Sequence, residues 1–153
     1  MTEPYVIDLP SFVNDDRGGL DQLFDEKEKP FTLKRVYRIQ LLKDIIRAFH
    51  GHRAEFKGLY VPHGIVKFIA IDMAYDSLAK PTVDNSYIFS YVLSQKKPQL
   101  LVIPPNFYNG FKALVDDSEV ICFSSSSLEE SKEDDFRVAW DKFGEDIWKV
   151  NPR

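Results

Sequence analysis

The sequence predicts an all-β fold, a sandwich or barrel, and three observations carry that reading. Short segments rich in Val, Ile, Tyr and Phe recur along the chain, and clusters of Gly, Pro, Asp and Asn separate them. The separators also have turn chemistry: Pro62-His63-Gly64 reads as a hairpin, and Pro104-Pro105-Asn106 ends a strand that cannot continue its ladder. At 153 residues the chain has the length of one ordinary domain, expected to span 1–153, and long enough to bury a sizeable core.

In chain order, the predicted strands cover 33–40, 45–49, 58–61, 65–72, 86–93, 99–103, 110–115 and 119–123. In the first of them, Leu33, Arg35, Tyr37 and Ile39 share one face, while Lys34, Val36 and Arg38 share the other. Mixed polarity on both faces suggests that one side lines a wet cavity. The run Ser124 to Ser127 followed by LEESKEDD reads as a solvated loop or the start of a helix. In the tail, Phe136, Trp140, Phe143 and Ile147 are spaced 4, 3 and 4 apart, which predicts a short C-terminal amphipathic helix, weakened by Gly144.

Composition excludes several classes of function. Apolar residues are 44% and charged residues 29% of the chain, so it has the material for a folded core and is not charged enough for disorder. With 20 basic against 24 acidic residues the net charge is -4, the wrong sign for holding nucleic acid by general attraction to phosphate. The charges are nonetheless segregated. Arg17, Lys34, Arg35, Arg38, Arg47, Arg53 and Lys57 gather in the first part, and acidic residues dominate from Asp116 onward, so a local cationic pocket is expected. The single Cys122 excludes an internal disulfide and a thiolate-rich zinc site. No apolar run approaches a membrane span, and MTEPYVIDLP has no basic stretch followed by an apolar one, so no membrane partner and a cytoplasmic location are expected.

The densest chemistry is Arg47-Ala-Phe-His50-Gly-His52-Arg53-Ala-Glu55-Phe-Lys57. If this stretch is extended, Ala48, His50 and His52 share one face, and Arg47 and Phe49 the other. Three readings follow. Two imidazoles on a strand face with a later carboxylate and a third His would hold a divalent metal, as in metal-binding cupin barrels, but Asn109 stands where the third His is wanted and Glu55 comes one residue early. Alternatively His50 is a general base near neutral pH, with Lys57 or Arg47 stabilising developing negative charge. The third reading leaves both rings as half-exposed, hydrogen-bonded strand residues.

The ordered set Asp16-Arg17-Gly18, Arg47-x-x-His50, Lys57, Ile71-Asp72, Leu93-Ser94, Gln99 to Pro104, Phe107-x-Asn109-Gly110-Phe111 and Trp140-Asp141 to Ile147-Trp148 resembles the dTDP-4-dehydrorhamnose 3,5-epimerase family of nucleotide-sugar cupins. Pro30-Phe31-x-Leu33-Lys34-Arg35-Val36-Tyr37, followed by Arg47-x-x-His50-x-His52-Arg53, is similar to the sister family of sugar 3,4-ketoisomerases. The resemblance implies a cupin-type double-stranded β-helix, or jelly roll, usually a homodimer. It also implies a nucleotide-diphosphate 4-keto sugar as the partner, with no metal and no organic cofactor. It places the base at His50 and a sugar or enolate contact at Lys57, with Arg17 and Arg47 on the diphosphate or sugar and His52 among the substrate contacts.

The departures carry equal weight. The family's second acid is a Tyr on the strand that here reads Glu119-Val-Ile-Cys122-Phe123; Tyr37 or Tyr108 are the candidate replacements. The carboxylate that orients the base is expected from Trp140-Asp141-Lys142, with Asp141 shifted by one residue, and Asn109 replaces the family's second His. Three functions are therefore weighed: C3/C5 epimerase of a nucleotide-linked 4-keto-6-deoxyhexose, 3,4-ketoisomerase, and a catalytically silent nucleotide-sugar-binding cupin.

Overall fold

A computed structural model describes residues 2–77 and 85–152. One five-stranded sheet has the order β1-β9-β6-β11-β4, built from β1 (Tyr5–Asp8), β9 (Gln99–Ile103), β6 (Lys57–His63), β11 (Ser118–Ser124) and β4 (Arg35–Leu41). The other has the order β12-β5-β10-β7-β8, from β12 (Phe136–Arg137), β5 (Ile46–His52), β10 (Phe107–Ala113), β7 (Ile65–Asp72) and β8 (Ile88–Ser94). A separate hairpin joins β2 (Ser11–Asp15) to β3 (Gly18–Asp21), and all the pairings are antiparallel. Two such sheets face to face form a jelly roll.

Each sheet is buried on both faces. Leu59, Val61, Val66, Phe68, Leu101, Val120 and Cys122 fill the space between the sheets. Phe31, Leu100, Val102 and Phe123 cover the outer face of one, with Leu23 and Phe24 from the segment after the hairpin packed on them. Phe49, Ile69, Ile71, Tyr108 and Trp148 cover the outer face of the other. That is why 65–72 and 99–103 read as near-continuous apolar runs.

Pro62-His63-Gly64 is not a hairpin. β6 pairs with β9 and β11 while β7 pairs with β8 and β10, so the chain here passes from one sheet to the other. Gly64 makes the corner at φ +85°, where a Cβ would lie 2.2 Å from Ser118 Oγ. Pro62 sits in the irregularity where β11 meets β6, between the pairs Glu119↔His63 and Ile121↔Tyr60, where its missing N–H costs no ladder bond.

The C-terminal helix expected over Phe136 to Ile147 does not form. Phe136 belongs to β12, which pairs with β5, and only Glu145–Trp148 coils, as a 3-10 turn. Gly144, at φ +94°, breaks the helical spacing. The apolar side chains still pack, with the Phe143 ring against Phe49 and Tyr108 and the Trp148 ring against Phe49, so this segment is a strap over the outer face of the sheet. The α-helix lies earlier, as α1 (Leu128–Glu133), and starts on a capping box in which the Ser127 hydroxyl accepts from Glu130 N and Glu130 Oε2 accepts from Ser127 N.

Candidate active site between the sheets

A cavity of about 500 Å³ opens between the sheets, walled by β4 and β6 on one side and β5 and β10 on the other. Tyr37, Ile39, Lys57 and Leu59 line one wall, and Arg47, His50, Asn109 and Phe111 the other. A wider mouth of about 600 Å³ shares Tyr37, Arg47, His50 and Lys57 and extends to Arg35, Lys132, Asp135 and Arg137. This many cations around one opening suit an anionic ligand.

Arg47 and His50 line the same cavity, contrary to the simple alternation expected of β5. The pairing with β10 runs Asn109↔His50 and then Phe111↔Arg47, so β5 carries one extra residue there. This bulge turns Arg47 to the side of His50 and leaves Ala48 and Phe49 on the outer cluster. Gly110 lies opposite, where a Cβ would come within 2.3 Å of Ala48 Cβ and 3.0 Å of Ala48 Cα. The Ala48–Phe49 peptide bond is cis. Asn109, expected in a strand-end loop, stands within β10 and donates from Nδ2 to His50 O at 3.0 Å, tying the two strands together under the base.

His50 Nδ1 lies 3.4 Å from Asp135 Oδ1, which leaves Nε2 for the cavity. Burial holds the imidazole below its ordinary value, and Arg137 and Lys57 add to this while Asp135 opposes it, so the ring is neutral near pH 7. Burial raises the Asp135 carboxyl, but the hydrogen bonds from Arg137 and His50 together outweigh it and hold the group below its ordinary value. Arg137 Nε donates to Asp135 Oδ2 at 2.7 Å.

Asp141, expected as the carboxylate beside His50, is not there. It lies in the turn after β12, where its carbonyl accepts from Gly144 N. Asp135 stands there instead because β12 pairs Arg137 with His50, placing the residue two positions earlier beside the ring. No local feature of the LEESKEDD run sets this aspartate apart, and only the strand pairing does.

Tyr37 projects from the opposite wall, its ring under the Arg35 guanidinium at 4.8 Å. Burial, followed by its contact with the Cys122 thiol, pushes the phenol well above its ordinary value, so it remains a proton donor. Cys122, the residue opposite Tyr37 on β11, is itself pushed up to about 11 by burial. The strand expected to hold the family's acid therefore carries a thiol in contact with the tyrosine from the neighbouring strand.

Tyr108 is not in the cavity. It is buried with Phe49, Met73 and Trp148 on the outer face, because neighbouring residues of β10 alternate and Asn109 takes the inner face. Arg17 is also outside, on the exposed β2–β3 hairpin, paired with Asp15 at 2.6 Å. His52 is only 5% exposed and reaches Lys57 instead of His50. The two rings point to different partners, and among the described residues no group of three His, Cys, Asp or Glu side chains could hold a metal ion.

Two further carboxylates hold the surrounding chain, Glu55, weighed from the sequence only as a metal ligand, and Asp134, which the sequence did not single out. Glu55 is buried, accepting from Ser124 Oγ at 2.5 Å and Ser131 Oγ at 2.8 Å. Asp134 accepts from Arg53 N at 2.9 Å and Ala54 N at 2.8 Å, docking the end of α1 on the β5–β6 turn.

Fold and cavity together define a cupin-type jelly-roll protein with a cationic pocket between its sheets that holds His50. The sequence model of the dTDP-4-dehydrorhamnose 3,5-epimerase family matches residues 2–148. The chain belongs to this family of isomerases, which act on nucleotide-linked sugars. Among solved structures it is similar to the Legionella pneumophila dTDP-6-deoxy-D-glucose-3,5-epimerase in complex with dTDP-4-keto-L-rhamnose, with 19% identity, TM-score 0.74, and coverage of 92% of this chain and 74% of that one. The Bacillus anthracis dTDP-4-dehydrorhamnose 3,5-epimerase, with TDP and PPi bound, shows 20% identity, TM-score 0.76, and coverage of 97% and 86%. A 3,4-ketoisomerase from Helicobacter canadensis shows 22% identity, TM-score 0.72, and coverage of 96% and 98%. No curated protein sequence matches the chain.

Proposed function

We propose that the chain epimerises C3 or C5 of a nucleotide-linked 4-keto-6-deoxyhexose, with His50 as the base. The observation that carries this reading is the pair of groups on opposite walls: neutral His50, backed by Asp135, and protonated Tyr37 across the cavity. A 4-keto group acidifies the neighbouring carbon-bound protons. His50 Nε2 takes one, Lys57 and Arg47 stabilise the enolate oxygen, and Tyr37 returns a proton from the other face, inverting the centre. Asn109 holds the His50 strand in place. The cycle needs no metal or organic cofactor, since the substrate's own carbonyl stabilises the carbanion.

The nucleotide diphosphate meets the cationic mouth, where arginine forks suit its oxygens. We infer a cytoplasmic homodimer. The β2–β3 hairpin exposes Phe12 and Leu20, at 62% and 52%, and a second copy would cover them. Arg17 keeps a diphosphate role only in such a dimer, because within one chain it lies outside the cavity.

A second reading, 3,4-ketoisomerase, rests on a specific observation: the strand expected to carry the epimerase acid holds no Tyr, and Tyr37 stands beside its Cys122. The near end-to-end correspondence with the ketoisomerase from Helicobacter canadensis supports it too. Incubating the protein with nucleotide-linked 4-keto sugars in deuterium oxide separates the readings. Deuterium at C3 or C5 with an inverted neighbour and a retained C4 carbonyl means epimerase, and a carbonyl moved to C3 means ketoisomerase. Binding without exchange for any such sugar overturns both, in favour of a silent binding protein.

A further inference from the structure

His52, Glu55 and Lys57 form a chain of contacts in the wall of the wider mouth, where His52 and Lys57 are lining residues and Glu55 lies behind them. Lys57 Nζ lies 3.0 Å from His52 Nε2. An ammonium has only donors, so Nε2 must present its lone pair and the ring proton must sit on Nδ1. Nδ1 is 3.1 Å from Glu55 Oε2, close enough for attraction, though off the line of a good hydrogen bond. Glu55 is held from the other side by Ser124, Ser131 and, at 3.4 Å, the Arg35 guanidinium, so its carboxylate is fixed.

We propose that His52 does not meet the substrate but acts as a positioning residue, the middle of a Glu55–His52–Lys57 chain that aims the Lys57 ammonium into the cavity. A ring with one nitrogen on a lysine and the other beside a buried carboxylate has no nitrogen left for a sugar. β5 ends at His52 and β6 begins at Lys57, so the intervening turn drops Glu55 behind the ring and closes the chain locally. The groups facing His52 are Lys57, Glu55 and, from the turn after α1, Asp134. Burial and the Lys57 charge keep the imidazole neutral, as an acceptor must be. The role rests on the proposed use of Lys57 at the enolate, whereas the hydrogen-bonded chain itself does not.

Two measurements on the full chain test the proposal. Nitrogen-15 NMR of the substrate-free protein is expected to show His52 neutral with its proton on Nδ1 at neutral pH, and Glu55→Gln to weaken that preference. The Lys57 ammonium protons are expected to exchange with water faster in His52→Leu, which removes their acceptor. If the 4-keto sugar is turned over, His52→Leu should lose about tenfold or more in kcat with little change in KM, and His52→Gln, which retains an acceptor, should recover most of it. A proton on Nε2, a charged ring at neutral pH, or a Lys57 exchange rate unmoved by His52→Leu overturns the proposal. Equal loss in the Gln and Leu variants with Lys57 unperturbed does so as well, and makes His52 a direct base. Should His52→Leu fail to fold, the wild-type tautomer and His52→Gln decide. Should no sugar be turned over, the NMR results still judge the chain, so its failure is distinguishable from that of the epimerase reading.

Discussion

His50 and Asp135, 85 residues apart in sequence, are brought within 3.4 Å by the pairing of β12 with β5. The aspartate holds the ring through Nδ1 and favours its charged form against burial.

Replacing His50 with Ala should reduce solvent deuterium exchange into a 4-keto sugar by about 10²–10⁴-fold, the usual contribution of a positioned base. Asp135→Asn should lower kcat less and move the acid limb of the pH–rate profile to lower pH, because Asp135 is the group that raises the His50 value against burial. An unmoved limb would remove Asp135 from the catalytic set.

Tyr37→Phe separates abstraction from inversion. His50 and the cations remain, so deuterium exchange should persist while inverted product falls by about 10²-fold. Parallel loss of both signals would mean that Tyr37 acts before the enolate forms. The measurement is proton NMR of the sugar with time.

Gly110→Ala should destabilise the fold by about 1–3 kcal/mol, the cost of overpacking, since its Cβ would meet the Ala48 backbone and side chain. The Arg47 bulge would have to shift, so nucleotide affinity should weaken along with the urea midpoint. Wild-type affinity in this variant would show that Arg47 is not a ligand contact.

Asp134→Ala removes the acceptor of the Arg53 and Ala54 amides and should cost about 1–3 kcal/mol, as for hydrogen bonds to a charged group. Because Asp134 holds the chain next to Asp135, kcat should fall also, which calorimetry and exchange assays on the same sample would report.

Stability should fall with acid. His50 and His52 are both held below their ordinary 6.5, so the unfolded chain takes up protons first and stability is lost as pH drops through that value. Asp135, held below its ordinary 3.8, extends the loss to lower pH. Tm should therefore be higher at about pH 8 than at about pH 5, and His52→Gln should flatten the difference; a Tm that rises toward acid contradicts these environments.

Much of this was legible in the sequence. The segments 65–72 and 99–103 emerge with the bounds expected of them, because residues buried on both faces of a sheet leave an unbroken apolar record. Cavity residues Tyr37, Arg47, His50, Lys57 and Asn109 were all candidates, since their side-chain chemistry is distinctive whatever the geometry. The strands at Tyr5–Asp8, Ser11–Asp15 and Gly18–Asp21 were missed: each is four or five residues long with no fully buried residue, and only pairing makes them strands.

The sequence by itself determined an all-β sandwich or barrel, a cationic first part, an acidic tail and His50 as a candidate, because burial, charge and reactivity belong to residue types and their local order. Only the tertiary structure decided which acid meets which base. The segregated charges cross-pair, Lys34 with Glu130 at 2.6 Å and Arg38 with Glu119 at 3.5 Å, while Asp135, not Asp141, reaches His50. The bulge that brings Arg47 beside His50, the strap in place of a helix and the turning of His52 toward Lys57 were settled there too. The bulge and the strap depend on register between strands distant in sequence, where a shift of one residue exchanges the face a side chain occupies, and the His52 contact depends on the path of the turn from β5 to β6.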